Sequence, residues 1–305
     1  SGSGLLKADS LSLNTTAGDL GSSASALRVD VGSAGVSGQV QGTAWLTQAS
    51  GTLVLAGLRA SGAMALSGVD MQGAALGGLA DVQAASLQLS ATGGLGSIER
   101  SLVLRTDSLA LSAGASVRLA NQTSLVVASA GLQVTAPNAE LLLDVRGDLR
   151  LTGGVSTQGG TLTLLARGEI TQTGSISSQG GLVEMFAVRG SITQAAAASL
   201  NSAGGNVRLD AGNALAIASV LAGSGTVGLV ARTGSITDAD GSTDGLDVVA
   251  AQVLMHAGED IGANVLAGGV LVAAGLQANA LELSTDALAA RSAGSQRLAQ
   301  AGSVS

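Results

Sequence analysis

The stretch "ARGEITQTGSISSQGG", Ala166 to Gly181, holds two short runs of alternating character, each bounded by glycine. The phrase returns as "VRGSITQ" from Val188 and as "RTGSITDADG" from Arg232. Its glycines set a period. Gly168, Gly190, Gly212 and Gly234 follow one another at a step of 22 residues, with Gly147 lying 21 before the first and Gly258 lying 24 after the last. A fixed step in this range is the mark of a repeat architecture.

Upstream of these glycines the chain reads "LLLDVRG" (Leu141 to Gly147), "LTLLARG" (Leu162 to Gly168), "VEMFAVRG" (Val183 to Gly190), "VRLDAG" (Val207 to Gly212), "VGLVARTG" (Val227 to Gly234) and "VLMHAG" (Val253 to Gly258). Apolar residues alternate with others, and a period of two is a β-strand with one face buried. After each glycine comes a second short strand ("DLRL", "EITQ", "SITQ", "ALAI", "SITD", "DIGA") and then a weaker third ("GVSTQGG", "SISSQGG", "ASLNSAGG", "SVLAGSG"). The flanks repeat the grammar less regularly, in "LSLNTTAGDL", "LRVDVG", "LQLSATGG" and "LELSTDAL". No helix-length amphipathic pattern with caps is present. The alanines Ala195 to Ala198 fall inside a repeat and read as strand or loop.

Such a unit cannot bury its own apolar face and must stack on its neighbours. A leucine-rich repeat would need Asn or Cys at a fixed ladder position, and none recurs. The expectation is an all-β, right-handed parallel β-helix of coils of about 20–24 residues, a single domain over 1–305 that is most regular over 141–267. At that period the chain makes roughly 14 coils. Gly147, Gly168, Gly190, Gly212, Gly234 and Gly258 are the expected structural corners, where glycine takes positive φ. Within the opening phrase Ile170 and Ile176 belong inside, and its Thr, Gln and Ser to the wet side.

Composition agrees. Of 305 residues 46 are Gly and 46% are hydrophobic, yet only 1% are aromatic and 11% charged. That is too apolar for a disordered chain, and small aliphatics suit a narrow enclosed core. There is no Cys, which excludes disulfides and thiolate metal sites. The net charge is −7, the only Lys is Lys7 and the Arg residues are scattered, so no basic patch serves nucleic acid or anionic lipid. No apolar run approaches the roughly 20 residues of a membrane span, so the chain reads as not membrane-embedded. It begins "SGSG" and reads as an internal or processed fragment.

The phrases "LLARGEITQTGSISSQGG", "LDAGNALAI" and "HAGEDIGA" resemble the repeat region of filamentous-haemagglutinin-like large exoproteins, the secreted partners of bacterial two-partner secretion systems. The resemblance is closest over Leu141 to Ala267. It implies a non-catalytic, extracellular shaft at a bacterial cell surface, used in adhesion, biofilm or contact-dependent competition. It also implies an outer-membrane secretion transporter as a partner, and a receptor or glycan on a host or bacterial surface. The Asn-Pro-rich motifs of the family's secretion domain are missing, and the only proline is Pro137 in "APNAE", so the piece matches shaft rather than export domain. Open strand edges recruit other chains, which leaves a self-assembling fibre or sheath subunit, associating end to end, as an alternative. A polysaccharide-binding or polysaccharide-cleaving β-helix is the third reading.

One copy breaks the rule. "DADGSTDGLDVV", Asp238 to Val249, gathers Asp238, Asp240, Asp244 and Asp247 around Gly241 and Gly245. Calcium takes several oxygens from a tight Gly-rich loop, and "GLDVV" matches half of a calcium-binding nonapeptide. The match occurs once, and it lacks the bidentate Glu of an EF-hand. An acidic turn lengthened between coils is the plainer reading, and the shaft itself needs no cofactor.

The remaining chemistry is thin. His256, the only His, shares an outward column with Asp144, Leu165, Phe186, Asp210 and Val230. Acid–base or nucleophilic catalysis needs a positioned partner, and no Ser/His/Asp trio is offered. Glu169 and Glu184 are the candidate carboxylate pair for glycoside hydrolysis, without the aromatic platforms or clustered bases such sites use. Trp45 and Phe186 are the only large rings. Glycine pairs such as "GSGTVG" lack the strand-to-helix context of a phosphate loop.

Overall fold

The computed structural model describes residues 4–74, 77–241, 245–262, 266–267, 270–271 and 280–301. Among them there is no helix, and so none long and apolar enough to cross a membrane. The chain is a parallel β-solenoid of about 11 turns at about 22 residues per turn. The turns are fewer than length divided by period gives because some are long. The step from Asp247 to its neighbour Glu282, for one, is 35 residues. Two compact units are distinguished, Ser1–Gly147 and Asp148–Ser305.

In the second unit three strand rows recur. Leu162–Ala166, Val183–Ala187 and Val207–Ala211 pair in parallel, and the row continues through Val220–Ala231, Val248–Ala257 and Leu281–Ser292. The short strands Leu149–Leu151, Ile170–Gln172, Ile192–Gln194, Leu215–Ile217 and Ile236–Asp238 form the second row. The third runs through Val155–Gln158, Ile176–Ser177 and Leu200–Asn201. Register turns the sequence alternation into continuous buried columns: Leu164, Met185, Leu209, Leu229 and Met255 stack inside. Ala166, Ala187, Ala211, Ala231 and Ala257 form a second column where the chain bends. Burying one such Leu contributes about 1.5–3 kcal/mol. The alanines Ala195 to Ala198 form a tight turn, closed by the Ala198 N–H donating to the Ala195 carbonyl at 2.8 Å.

The first unit follows the same logic with longer strands. Leu46, Leu66, Leu89, Leu111 and Leu132 stack in register and are all buried. Register shifts occur between Val127 and Leu132 and between Val36 and Gly38. Such irregularities explain why the period is harder to read there. Asp81 is wholly buried and satisfied, by Arg100 Nη2 at 2.7 Å and the Val103 N–H at 2.9 Å.

The opening phrase has a polar interior. Ile170 and Ile176 are buried as expected, but so are Gln172 and Ser178, which correct the expectation of a wet side. The reason is the corner. A bend leaves backbone groups without ladder partners, and buried polar groups must be satisfied. Thr157 Oγ1 donates to the Gly160 carbonyl at 2.8 Å, and Ser178 Oγ to the Gly181 carbonyl at 2.6 Å. Ser202 repeats the bond to Gly205 one coil on. Gln194 Nε2 donates to Gln172 Oε1 at 2.9 Å, while Gln194 Oε1 accepts from the Ala218 and Ser219 N–H groups at 2.9 and 3.2 Å.

The six periodic glycines lie in bends, but not for the conformational reason expected. None has positive φ. They are glycine because coils approach closely: a β-carbon on Gly190 would sit 2.6 Å from the Gly168 carbonyl, and one on Gly258 would sit 2.6 Å from the Arg232 carbonyl. Gly147 presses on the backbone of Ser124, Gly212 on Val188, Gly234 on Asn213 and Ala214, and Gly168 on the carboxylate of Asp148. Positive φ is found at the other corner, at Gly180 and Gly204, both 103°.

Candidate functional site

The insertion that breaks the period builds a cluster of acids. At the end of Ile236–Asp238 the chain turns on itself, and Asp238 Oδ1 accepts the N–H groups of Asp240 and Gly241 at 2.9 Å each. Asp244 lies outside the described residues. The chain returns at Asp247, just before Val248–Ala257. There it is stitched between two neighbouring coils. Its carbonyl accepts the Val220 N–H at 2.7 Å, its N–H donates to the Glu282 carbonyl at 2.9 Å, and its Oδ2 accepts the Glu282 N–H at 2.9 Å.

One carboxylate oxygen from each of Asp238, Asp247 and Glu282 lies within 4.8 Å of the others. Asp247 is only 2% exposed. Among the described residues no Lys or Arg pairs with any of the three. Asp238 Oδ2 and Glu282 Oε2 are sealed from solvent without a hydrogen-bond partner among those residues. Burial pushes Asp247 up to about 8, against the Glu282 N–H that favours its charge, with the Asp238 charge adding to the rise. Burial likewise pushes Asp238 up to about 6, and raises Glu282. Crowded buried carboxylates of this kind are relieved by a shared proton or by a cation. Asp238, Asp247 and Glu282 are therefore the described side chains that could hold a divalent cation. Calcium would need further oxygens to reach its usual six to eight.

Sequence reasoning found Asp238, Asp240 and Asp247 but missed Glu282. The available signal was register. The "LELSTDAL" strand pairs Leu283 with Val248, which brings Glu282 beside Asp247.

The outward column of the second unit stacks as read: Leu165, Phe186, Asp210, Val230 and His256 are successive partners, continued by Arg291. One member is not wet. Asp210 is buried beneath two arginines, Arg232 through Nε and Nη2 at 2.8 Å each and Arg208 through Nη2 at 3.1 Å. Arg208 also lies over the Phe186 ring, 5.2 Å from its centre. Beside this network a groove of about 550 Å³ runs over Gly228, with Leu254, His256 and Arg291 on its walls. Glu184 projects from Val183–Ala187, whereas Glu169 sits in the bend before Ile170–Gln172, so the two belong to different elements.

The comparisons name no relative: no protein-family model, no curated protein and no solved structure matches the chain.

Proposed function

We propose that the chain is a length of the structural and adhesive shaft of a secreted bacterial surface exoprotein of the filamentous-haemagglutinin type. The observation that carries this reading is the coil-on-coil register of Leu162–Ala166, Val183–Ala187 and Val207–Ala211, which keeps the interior nearly constant while outward residues change. Such a body transmits load along its backbone ladders and presents different side chains at each level. The resemblance of Leu141 to Ala267 to the family's repeat region supports the same reading, and with it export through an outer-membrane transporter. The role needs neither catalysis nor a cofactor; calcium, if taken up, belongs at Asp238, Asp247 and Glu282.

The test is made in the producing bacterium. External protease should remove the chain from intact cells, and deleting its gene should reduce attachment to surfaces. A protein that stays protected inside the cell overturns the reading.

A second reading is a self-assembling fibre subunit. It is favoured by Leu6–Asn14, whose only paired strand among the described residues is Leu27–Val40 and whose side chains are mostly exposed. An exposed strand of this kind is a template for another chain. Electron microscopy of the purified chain separates the two, with short uniform particles expected of a shaft segment and long polymers of a fibre.

A further inference from the structure

On the outer face of the first unit the register lines up Trp45, Ala65, Gln88 and Ala110 on successive strands. Thr47, Ser67, Ser90 and Ser112 form the adjacent row, and Ser86 and Ser108 lie on the opposite flank. Ala65 and Ala110 are short, so the column sinks between its flanks. Two adjoining depressions result, of about 320 and about 280 Å³, and both are bordered by Trp45, Ala65 and Gln88. Among the described residues no Asp, Glu, Lys, Arg or His lines either one, although the chain as a whole carries a net charge of −7.

The chain's single Trp stands at one end of this trough. It is half-buried, and among the described residues its indole N–H makes no hydrogen bond. Half-buried Trp with a free polar edge is characteristic of binding surfaces. Gln88 is exposed and offers both donor and acceptor. The Thr47 and Ser67 hydroxyls are already bridged at 2.7 Å, which fixes their positions on the rim.

We infer that this trough binds a neutral, β-linked oligosaccharide, with one sugar ring stacked on Trp45 and the next hydrogen-bonded to Gln88 and the flanking serines. The inference rests on the adhesive reading above and names its ligand class and site. Three features select a sugar. An indole face matches the C–H face of a pyranose. Hydroxyl and amide groups match sugar hydroxyls, which both donate and accept. The absence of charge offers nothing to an anionic glycan or a charged peptide, and a shallow floor of alanines gives an acyl chain no depth. Spacing agrees as well: strands stack at about 4.8 Å, close to the advance per residue of an extended sugar chain.

The single Trp makes the test direct. Purified full chain is titrated with cellotetraose and with tri-N-acetylchitotriose, and Trp fluorescence is followed. A saturable change is expected for at least one of them, and none for a heparin-derived tetrasaccharide. Gln88→Ala leaves the reporter in place and lies on the exposed face; it should weaken binding at least fivefold. Trp45→Ala, followed by calorimetry, should weaken it at least tenfold, whereas Leu254→Ser in the second unit should leave it unchanged. No response to either neutral sugar at millimolar concentration overturns the inference, and so does equal affinity in Gln88→Ala. The two readings fail separately. If gene deletion abolishes attachment but cells carrying Gln88→Ala attach as the parent does, the shaft stands and this site falls.

Discussion

Asp148 accepts the backbone N–H of Glu169 through Oδ1 at 2.9 Å, one coil away, and the absent β-carbon of Gly168 is what lets the carboxylate come so near. The arrangement recurs. Asp19 accepts from Thr43 beside Gly42, Asp70 from Gly94 beside Gly93, and Asp260 from Ser295 beside Gly294, at 2.7, 2.7 and 2.6 Å. The Thr43 N–H holds the Asp19 carboxyl below its ordinary value. An aspartate in the bend thus clips the next coil, and a glycine makes room for it.

Asp148→Ala should therefore cost about 0.5–1.5 kcal/mol, below the range for a bond to a buried charge because this one is exposed to solvent. Gly168→Ala should cost more, about 1–3 kcal/mol, because the added carbon displaces the carboxylate and overpacks the corner. Urea unfolding of both variants checks the order; an Asp148→Ala loss exceeding that of Gly168→Ala contradicts it.

The two glycine corners should respond differently to substitution. Gly190→Ala forces a carbon against the Gly168 carbonyl and is expected to cost about 1–3 kcal/mol. At Gly180 nothing lies within 4 Å of an added carbon, and only the φ of 103° opposes it. There Gly180→Ala should cost about 1 kcal/mol. Thermal melts of the pair decide, and equal losses would show that close approach is not the constraint at Gly190.

Gln194→Ala should destabilise the chain by about 2–4 kcal/mol. It removes the donor to Gln172 Oε1 and the acceptor for the buried Ala218 N–H, two buried groups that cost about 1–3 kcal/mol each when left unpaired, while the part-buried Ser219 N–H can turn to water. The outward neighbour Thr193 is the control, since Thr193→Ala should stay within about 0.5 kcal/mol of the parent.

Stability should fall as pH rises from about 4 toward about 8. Unfolded carboxyls lose their protons near 4, whereas Asp247 is raised to about 8 and Asp238 to about 6 when folded. Over that window the folded chain holds protons that the unfolded chain has given up, so raising the pH favours unfolding. Asp247→Asn keeps an acceptor for the Glu282 N–H and removes the charge. It should flatten the pH dependence and stabilise the chain at pH 8 by about 1–3 kcal/mol. Urea midpoints at pH 5 and pH 8.5 are the measurement, and a parent midpoint that climbs with pH refutes the proposed origin.

What the sequence declared was periodic. Alternation in "LTLLA" and "VEMFA" gave the strands, and the recurrence of Gly168, Gly190 and Gly212 gave the pairing, down to the partners of His256. What it hid was whatever depends on neighbouring coils rather than on the local pattern. Gln172 and Ser178 look solvent-facing by type, yet the bend buries them. Gly190 looks like a turn glycine, yet its reason is the backbone of the preceding coil. Glu282 joins the acidic corner across 35 residues, beyond any local motif. The Trp45 trough likewise exists only once four strands are laid side by side.

The buried polar groups have a consequence for how such a chain finds its fold. Aliphatic columns are nearly interchangeable, so a coil could dock on the wrong neighbour, one full period out of place, with little loss of apolar burial. The Gln172–Gln194 amide pair, Asp81 with Arg100, and Asp210 with Arg208 and Arg232 each join particular residues rather than a repeated column. A mis-stacked chain would strand these groups without partners. They act as address labels written between coils, and their removal should yield protein that still forms β-structure but folds to a mixture of misaligned species.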